Sequence, residues 1–211
     1  MSLLSFSLDP SFVYQYRDTP APFGWNGLGE IVYLRTYSRD GERWADTCER
    51  VINGMYSLQK DHRSLQWNDE KAQSSAREAY DLLFNLKWTP PGRGLWMMGT
   101  PFVHERGVVE GLSNCAFSSS SFLNKEYGEY FYWIMEMLML GVGVGFDVLG
   151  AGTLVPGPQT DARALYIIPD TREGWCESVK LLVNSYLKHS PTLVFDYRKI
   201  RPAGELIRGF G

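Results

Sequence analysis

The stretch GLSNCAFSSSS, residues 111–121, sets Cys115 among small and polar neighbours. A thiol does chemistry only when something can reach it. Hydrogen donation, thiolate attack and disulfide formation all need an open approach to sulfur. Ser113, Asn114, Ala116 and Ser118 leave such an approach open, whereas bulky apolar residues at alternate positions would mark a core cysteine. The stretch alone admits both readings, a reactive thiol and a small buried filler.

The other two cysteines read differently. Cys48 shares a stripe with Trp44, Val51 and Met55 at the i, i+4, i+7, i+11 spacing of one helical face. Cys176 stands in a helical stretch with Trp175, Val179, Leu182 and Val183. Both are expected in the core. Three cysteines far apart in 211 residues fit free thiols in a reducing compartment rather than a disulfide framework, so the expected location is the cytoplasm.

Other motifs carry less chemistry. GVGVGF (141–146) has Phe146 where a dinucleotide fingerprint needs its third glycine, and it follows a helix rather than a strand. Its glycines either let a ligand or chain segment approach the backbone or simply pack a tight turn. PPGRGLW lacks the Lys-Ser/Thr of a phosphate loop. His62, His104 and His189 show no ligand spacing, so no protein-bound metal is expected. Glu126, Glu129 and Glu136 read as a solvated or interface face of an aromatic helix.

The elements that must position these residues follow from periodicity and breakers. Residues 1–30 read as irregular. Helices are expected from Arg43 to Leu58 and from Asp69 to Leu86, the second stopped by the paired prolines of TPPGRGLWMMGTPF. EYGEYFYWIMEMLML (126–140) reads as a helix buried on most sides. A short strand within 141–152, a strand ending in LYIIPD, a helix capped by Thr171 with Glu173 in its first turn, and a strand TLVFDY follow. Helix-rich first, then strand and helix in alternation, is the grammar of an α/β fold with parallel strands. The domains are read as 1–92, irregular and helical, and 93–211, α/β. A parallel sheet stopping at RPAGELIRGFG would expose its edges, so its remainder is expected elsewhere.

Composition agrees with a packed protein: 44% hydrophobic, 14% aromatic and a net charge of -3. Scattered basic residues give no nucleic-acid footprint. No apolar run reaches a membrane span's length, and the first residues lack the basic segment of a signal peptide.

Several segments together resemble one family. YLRTYSR, PPGRGLWMMGT, LSNCAF, MEMLMLGVGVGFD, DTREGWCES and IRPAGELIRGFG are similar, in this order, to adenosylcobalamin-dependent (class II) ribonucleotide reductases, most closely the monomeric ribonucleoside-triphosphate type. The resemblance covers residues 31–211. It implies a ten-stranded α/β barrel, of which this chain would hold the helical N-terminal region and first strands. It implies that Cys115 is one member of a redox-active pair beneath the ribose. Ser113, Asn114 and Gly143 would line the substrate site, and Thr100 would touch phosphate. Segments 149–163 and 201–211 would read a deoxynucleotide effector. A ribonucleoside triphosphate substrate, a dithiol reductant such as thioredoxin and a complementary C-terminal half are the implied partners. Adenosylcobalamin would be held mostly by that missing half. The family's thiyl-radical cysteine and the second cysteine of the pair have no counterpart here, so the chain alone is expected to be inactive. Two alternatives stand beside this reading: a non-catalytic nucleotide-binding module, and a reductase served by a metal-bearing radical subunit.

Overall fold

The computed structural model describes residues 4–24, 26–62, 66–124, 127–150, 152, 160–188 and 191–206. They fall into two compact units, Met1–Leu112 and Ser113–Gly211. Among the described residues no helix is long and apolar enough to cross a membrane.

The first unit is helical. It comprises α1 (Pro10–Tyr14), α2 (Leu28–Thr36), α3 (Trp44–Asp61), α4 (Asp69–Phe84), α5 (Gly92–Met97) and α6 (Pro101–His104). The stripe expected on α3 is its buried face: Trp44, Cys48 and Val51 lie in the core with Ala76, Tyr80 and Leu83 of α4. Two of the large side chains inside use their polar atoms on backbone carbonyls. Trp44 Nε1 donates to the Phe84 carbonyl at 2.9 Å, and the Tyr80 hydroxyl to the Ala45 carbonyl at 3.1 Å. The N-terminal segment is more ordered than the irregular stretch expected from its composition. Phe6 and Leu8 enter the core, and their N–H groups donate to Ser57 Oγ at 2.9 Å and Asn53 Oδ1 at 2.8 Å.

Helix α4 stops at Phe84, before the prolines. Leu86 takes φ +54, Leu86 N–H reaches the Leu83 carbonyl, and Lys87 N–H reaches the Leu82 carbonyl. That pair of bonds is a Schellman stop with leucine in the place usually given to glycine. The prolines instead start α5, with Pro91 as its N-cap residue, because a ring-fixed φ suits a helix start.

Polar bonds tie α5 and the turn after it into the first unit. Arg39 Nε donates to the Trp96 carbonyl at 2.9 Å, and Arg50 donates to the Leu95 and Met98 carbonyls while pairing with Glu42. Residues 93–100 are thereby held to α3 and its preceding turn.

The second unit contains two βαβ crossovers: β1 (Cys115–Ser118), α7 (Tyr127–Met139) and β2 (Gly143–Phe146), then β3 (Thr160–Ile167), α8 (Arg172–Leu187) and β4 (Pro191–Asp196). Both strand pairs are parallel, as expected. Among the described residues they form two separate two-stranded sheets rather than one continuous sheet. What joins them is helix packing. Gly128 N–H donates to Asn184 Oδ1 at 3.1 Å, Glu129 pairs with Lys180, and Glu136 pairs with Arg172 at 3.5 Å. Glu129 and Glu136 therefore face an interface, one of the two settings read for them; Glu126 lies outside the described residues. Thr171 Oγ1 accepts Gly174 N–H at 3.0 Å and caps α8 as expected.

Helix α7 is less enclosed than its apolar sequence implied. Gly128, Tyr130 and Met137 are its buried residues, while Leu138 and Met139 are exposed. Its apolar surface exceeds what α8 and β2 cover within this unit.

Candidate functional site

Cys115 opens β1. Parallel pairing sets it opposite Gly143, and Phe117 opposite Gly145. Strand alternation puts Cys115 and Phe117 on one face. Both are exposed there, Phe117 at 65%. Glycines opposite them leave that face bare. A Cβ at position 143 would stand 3.9 Å from Cys115 Sγ and 3.5 Å from the Asn114 carbonyl oxygen. A side chain at 143 would lie in ordinary contact with the thiol and cover part of this face. Gly143 N–H donates to that carbonyl at 2.9 Å, fixing the start of the ladder. Ser113 and Asn114 are exposed beside it.

The other thiols are buried. Burial pushes the Cys48 thiol well above the ordinary range, and nearby Glu42 adds to the effect. Burial, with Glu136 nearby, pushes Cys176 up to about 11. Cys176 Sγ packs 4.0 Å from Met139 Sδ of α7. Both are core thiols that resist forming thiolate, and Cys115 is the accessible sulfur.

Of the site residues read from sequence, Cys115, Asn114 and Gly143 come together on the first sheet, with Ser113 adjoining. Thr100 belongs to the first unit. It is the N-cap residue of α6, and its hydroxyl donates to the Met97 carbonyl at 2.6 Å. Of the segments read as effector loops, 151, 153–159 and 207–211 lie outside the described residues. Sequence reading passed over Phe117 and Gly145, although two-residue alternation from Cys115 points to that face. It also passed over Asp147 and Ser120, which meet just past the ladder.

Two family profiles match the chain: the ribonucleotide reductase alpha domain over residues 8–100, and the insertion domain of B12-dependent ribonucleotide reductase over residues 150–211. An adenosylcobalamin-dependent ribonucleoside-triphosphate reductase of Euglena gracilis is 43% identical, over 98% of this chain and 30% of its own length. A probable enzyme of the same description from Dictyostelium discoideum is 40% identical, over all of this chain and 31% of its own. A crystal structure of a B12-dependent (class II) ribonucleotide reductase superimposes with a TM-score of 0.80 at 26% identity, covering 98% of this chain and 37% of that one. The chain belongs to the class II ribonucleotide reductases. This reductase chain spans about a third of the length of the relatives it matches.

An apolar cleft of about 360 Å³ in the first unit is lined by Phe23, Leu28, Val32, Tyr33, Trp44 and Leu95. Among the described residues no group of three or more His, Cys, Asp or Glu side chains could hold a metal ion.

Proposed function

We propose that this chain supplies one redox-active thiol and part of the substrate floor of an adenosylcobalamin-dependent ribonucleoside-triphosphate reductase. The observation that carries the reading is the exposed Cys115 thiol, set over Gly143 on a bare sheet face. Replacing a ribose 2′-hydroxyl by hydrogen consumes two electrons and two protons. Two thiols supply them: the C–O bond breaks, a C–H bond forms, water leaves, and the sulfurs join as a disulfide. Cys115 is one of the two. Cys48 and Cys176 are buried in core clusters and cannot be the other, which the remainder of the enzyme supplies.

In the same reading Ser113, Asn114 and Gly143 line the sugar and Thr100 contacts phosphate. The two crossovers begin a larger α/β assembly, the ten-stranded barrel of the family, completed by sequence outside this chain. The cofactor is held there too. A deoxynucleotide effector acts through segments 149–163 and 201–211, and an external dithiol such as thioredoxin restores the pair. Three free thiols suit the reducing cytoplasm. The B12-dependent insertion-domain match over 150–211 favours cobalamin over a metal-bearing radical subunit.

The test combines this chain with the remaining two-thirds of a relative's length, adenosylcobalamin, a ribonucleoside triphosphate and a dithiol. Deoxynucleotide forms in the combination and in neither part alone. Turnover by this chain alone would overturn the assignment, and nucleotide binding without turnover in the combination would favour a non-catalytic module.

A further inference from the structure

Strands β1 and β2 share a ladder of four residue pairs, from Cys115 with Gly143 to Ser118 with Phe146. Two of the four β2 residues are glycine. Glycine-rich strands hold register weakly, because few side chains favour one alignment over the next. Just past the last pair the chain adds a compact polar cluster. Asp147 Oδ1 accepts three hydrogen bonds: from Ser120 N–H at 3.0 Å, Ser120 Oγ–H at 2.5 Å and Leu149 N–H at 3.2 Å. Ser120 Oγ in turn accepts Gly150 N–H at 2.7 Å. The approach is close enough that a Cβ at position 150 would stand 2.7 Å from the Ser120 carbonyl oxygen. The Tyr130 hydroxyl of α7 adds a bond to the Ser118 carbonyl at 3.2 Å. The Ser120 and Ser119 hydroxyls, with the Leu149 and Ser120 amides, hold the Asp147 carboxyl down to about 2, so it is an anion at neutral pH.

We infer that Asp147 and Ser120 are a positioning pair, a register pin that locks β1 to β2 and so keeps the Cys115 thiol over Gly143. Neither residue touches the sulfur. Cys115 opens the ladder, and Ser120 lies beyond its other end. The catalytic meaning of the pin rests on the role proposed for Cys115, whereas its geometric claim does not.

Thiol modification of the 211-residue chain by an aromatic disulfide reagent tests it. Cys48 and Cys176 are buried and serve as internal controls of folding. Asp147→Ala and Ser120→Ala are expected to shift the Cys115 modification rate about fivefold, the ratio expected for one net hydrogen bond, by changing what stands opposite the thiol, while the other thiols stay protected. Ser120→Thr keeps the hydroxyl and restores the original rate. Should Asp147→Ala expose Cys176, the milder Ser120→Ala decides. An unchanged Cys115 rate in folded Ser120→Ala, or Ser120→Thr behaving as Ser120→Ala, overturns the pin. In the assembled enzyme Ser120→Ala lowers kcat by a similar factor with KM unchanged. If the modification rates shift as expected while Cys115→Ser leaves turnover intact, the catalytic reading of Cys115 fails and the pin stands.

Discussion

Cys115→Ser, placed in an enzyme assembled from this chain and the remainder of its length, is expected to lower turnover with a dithiol reductant about a thousandfold or more, the scale on which loss of a reacting group is felt. A hydroxyl cannot take sulfur's place. Its O–H bond is too strong to give up hydrogen readily, and oxygen forms no stable counterpart of the disulfide that ends the reaction. Nucleotide binding should survive, because serine differs from cysteine by one atom on an exposed face. Steady-state assays with equilibrium nucleotide binding separate the two effects. Cys48→Ala supplies the contrast. It empties a small volume in a filled core and costs on the order of 1 kcal/mol of stability with chemistry intact. Equal activity losses in both variants would mean that Cys115 acts through folding.

The second large effect is structural. Gly99→Ala is expected to cost about 3 kcal/mol or more, combining overpacking with a left-handed backbone. Gly99 has φ +77, and a Cβ there would stand 2.2 Å from the Arg50 carbonyl oxygen, an α3 backbone atom with no freedom to retreat. Gly54, facing it on α3, is as tightly placed: its Cβ would lie 2.5 Å from Gly99 N. Helix α3 thus meets the 97–100 turn backbone to backbone, and the Arg50 guanidinium ties that turn down. Thr100 follows directly as the N-cap residue of α6, so this contact sets where that helix begins. Gly107 is the control. Its φ is +68 with nothing within 4 Å, so Gly107→Ala carries only the backbone cost, about 1 kcal/mol. Urea unfolding of both variants measures the difference, and equal midpoints would show that the α3 contact is not tight.

Much of this could be read from residue types and spacing, and the rest could not for identifiable reasons. The Trp44, Cys48, Val51 stripe and the Thr171 cap are local patterns, and both stand as read. Small neighbours around Cys115 were a sound sign of an open thiol. Leu86 carries no stop signal, yet it ends α4, because hydrogen bonds from the following turn outweigh the discomfort of leucine in a left-handed conformation. The apolar run of α7 was mistaken for burial, since hydrophobic content counts the surface to be covered and not what covers it. Arg39 and Arg50 tie residues 95–98 to the helical unit by reaching carbonyls more than forty residues away in sequence. The Asp147–Ser120 contact likewise spans a helix. Bonds of that range leave no periodic trace.

The most direct measurement is the fate of sulfur in one turnover. The assembled enzyme is reduced, freed of external dithiol, given one equivalent of ribonucleoside triphosphate, and quenched with an alkylating reagent before peptide mass spectrometry. The account predicts that Cys115 leaves the alkylated pool in step with deoxynucleotide formed and appears in a disulfide, while Cys48 and Cys176 stay reduced. Deoxynucleotide formed with Cys115 still recovered as an alkylated thiol would contradict it.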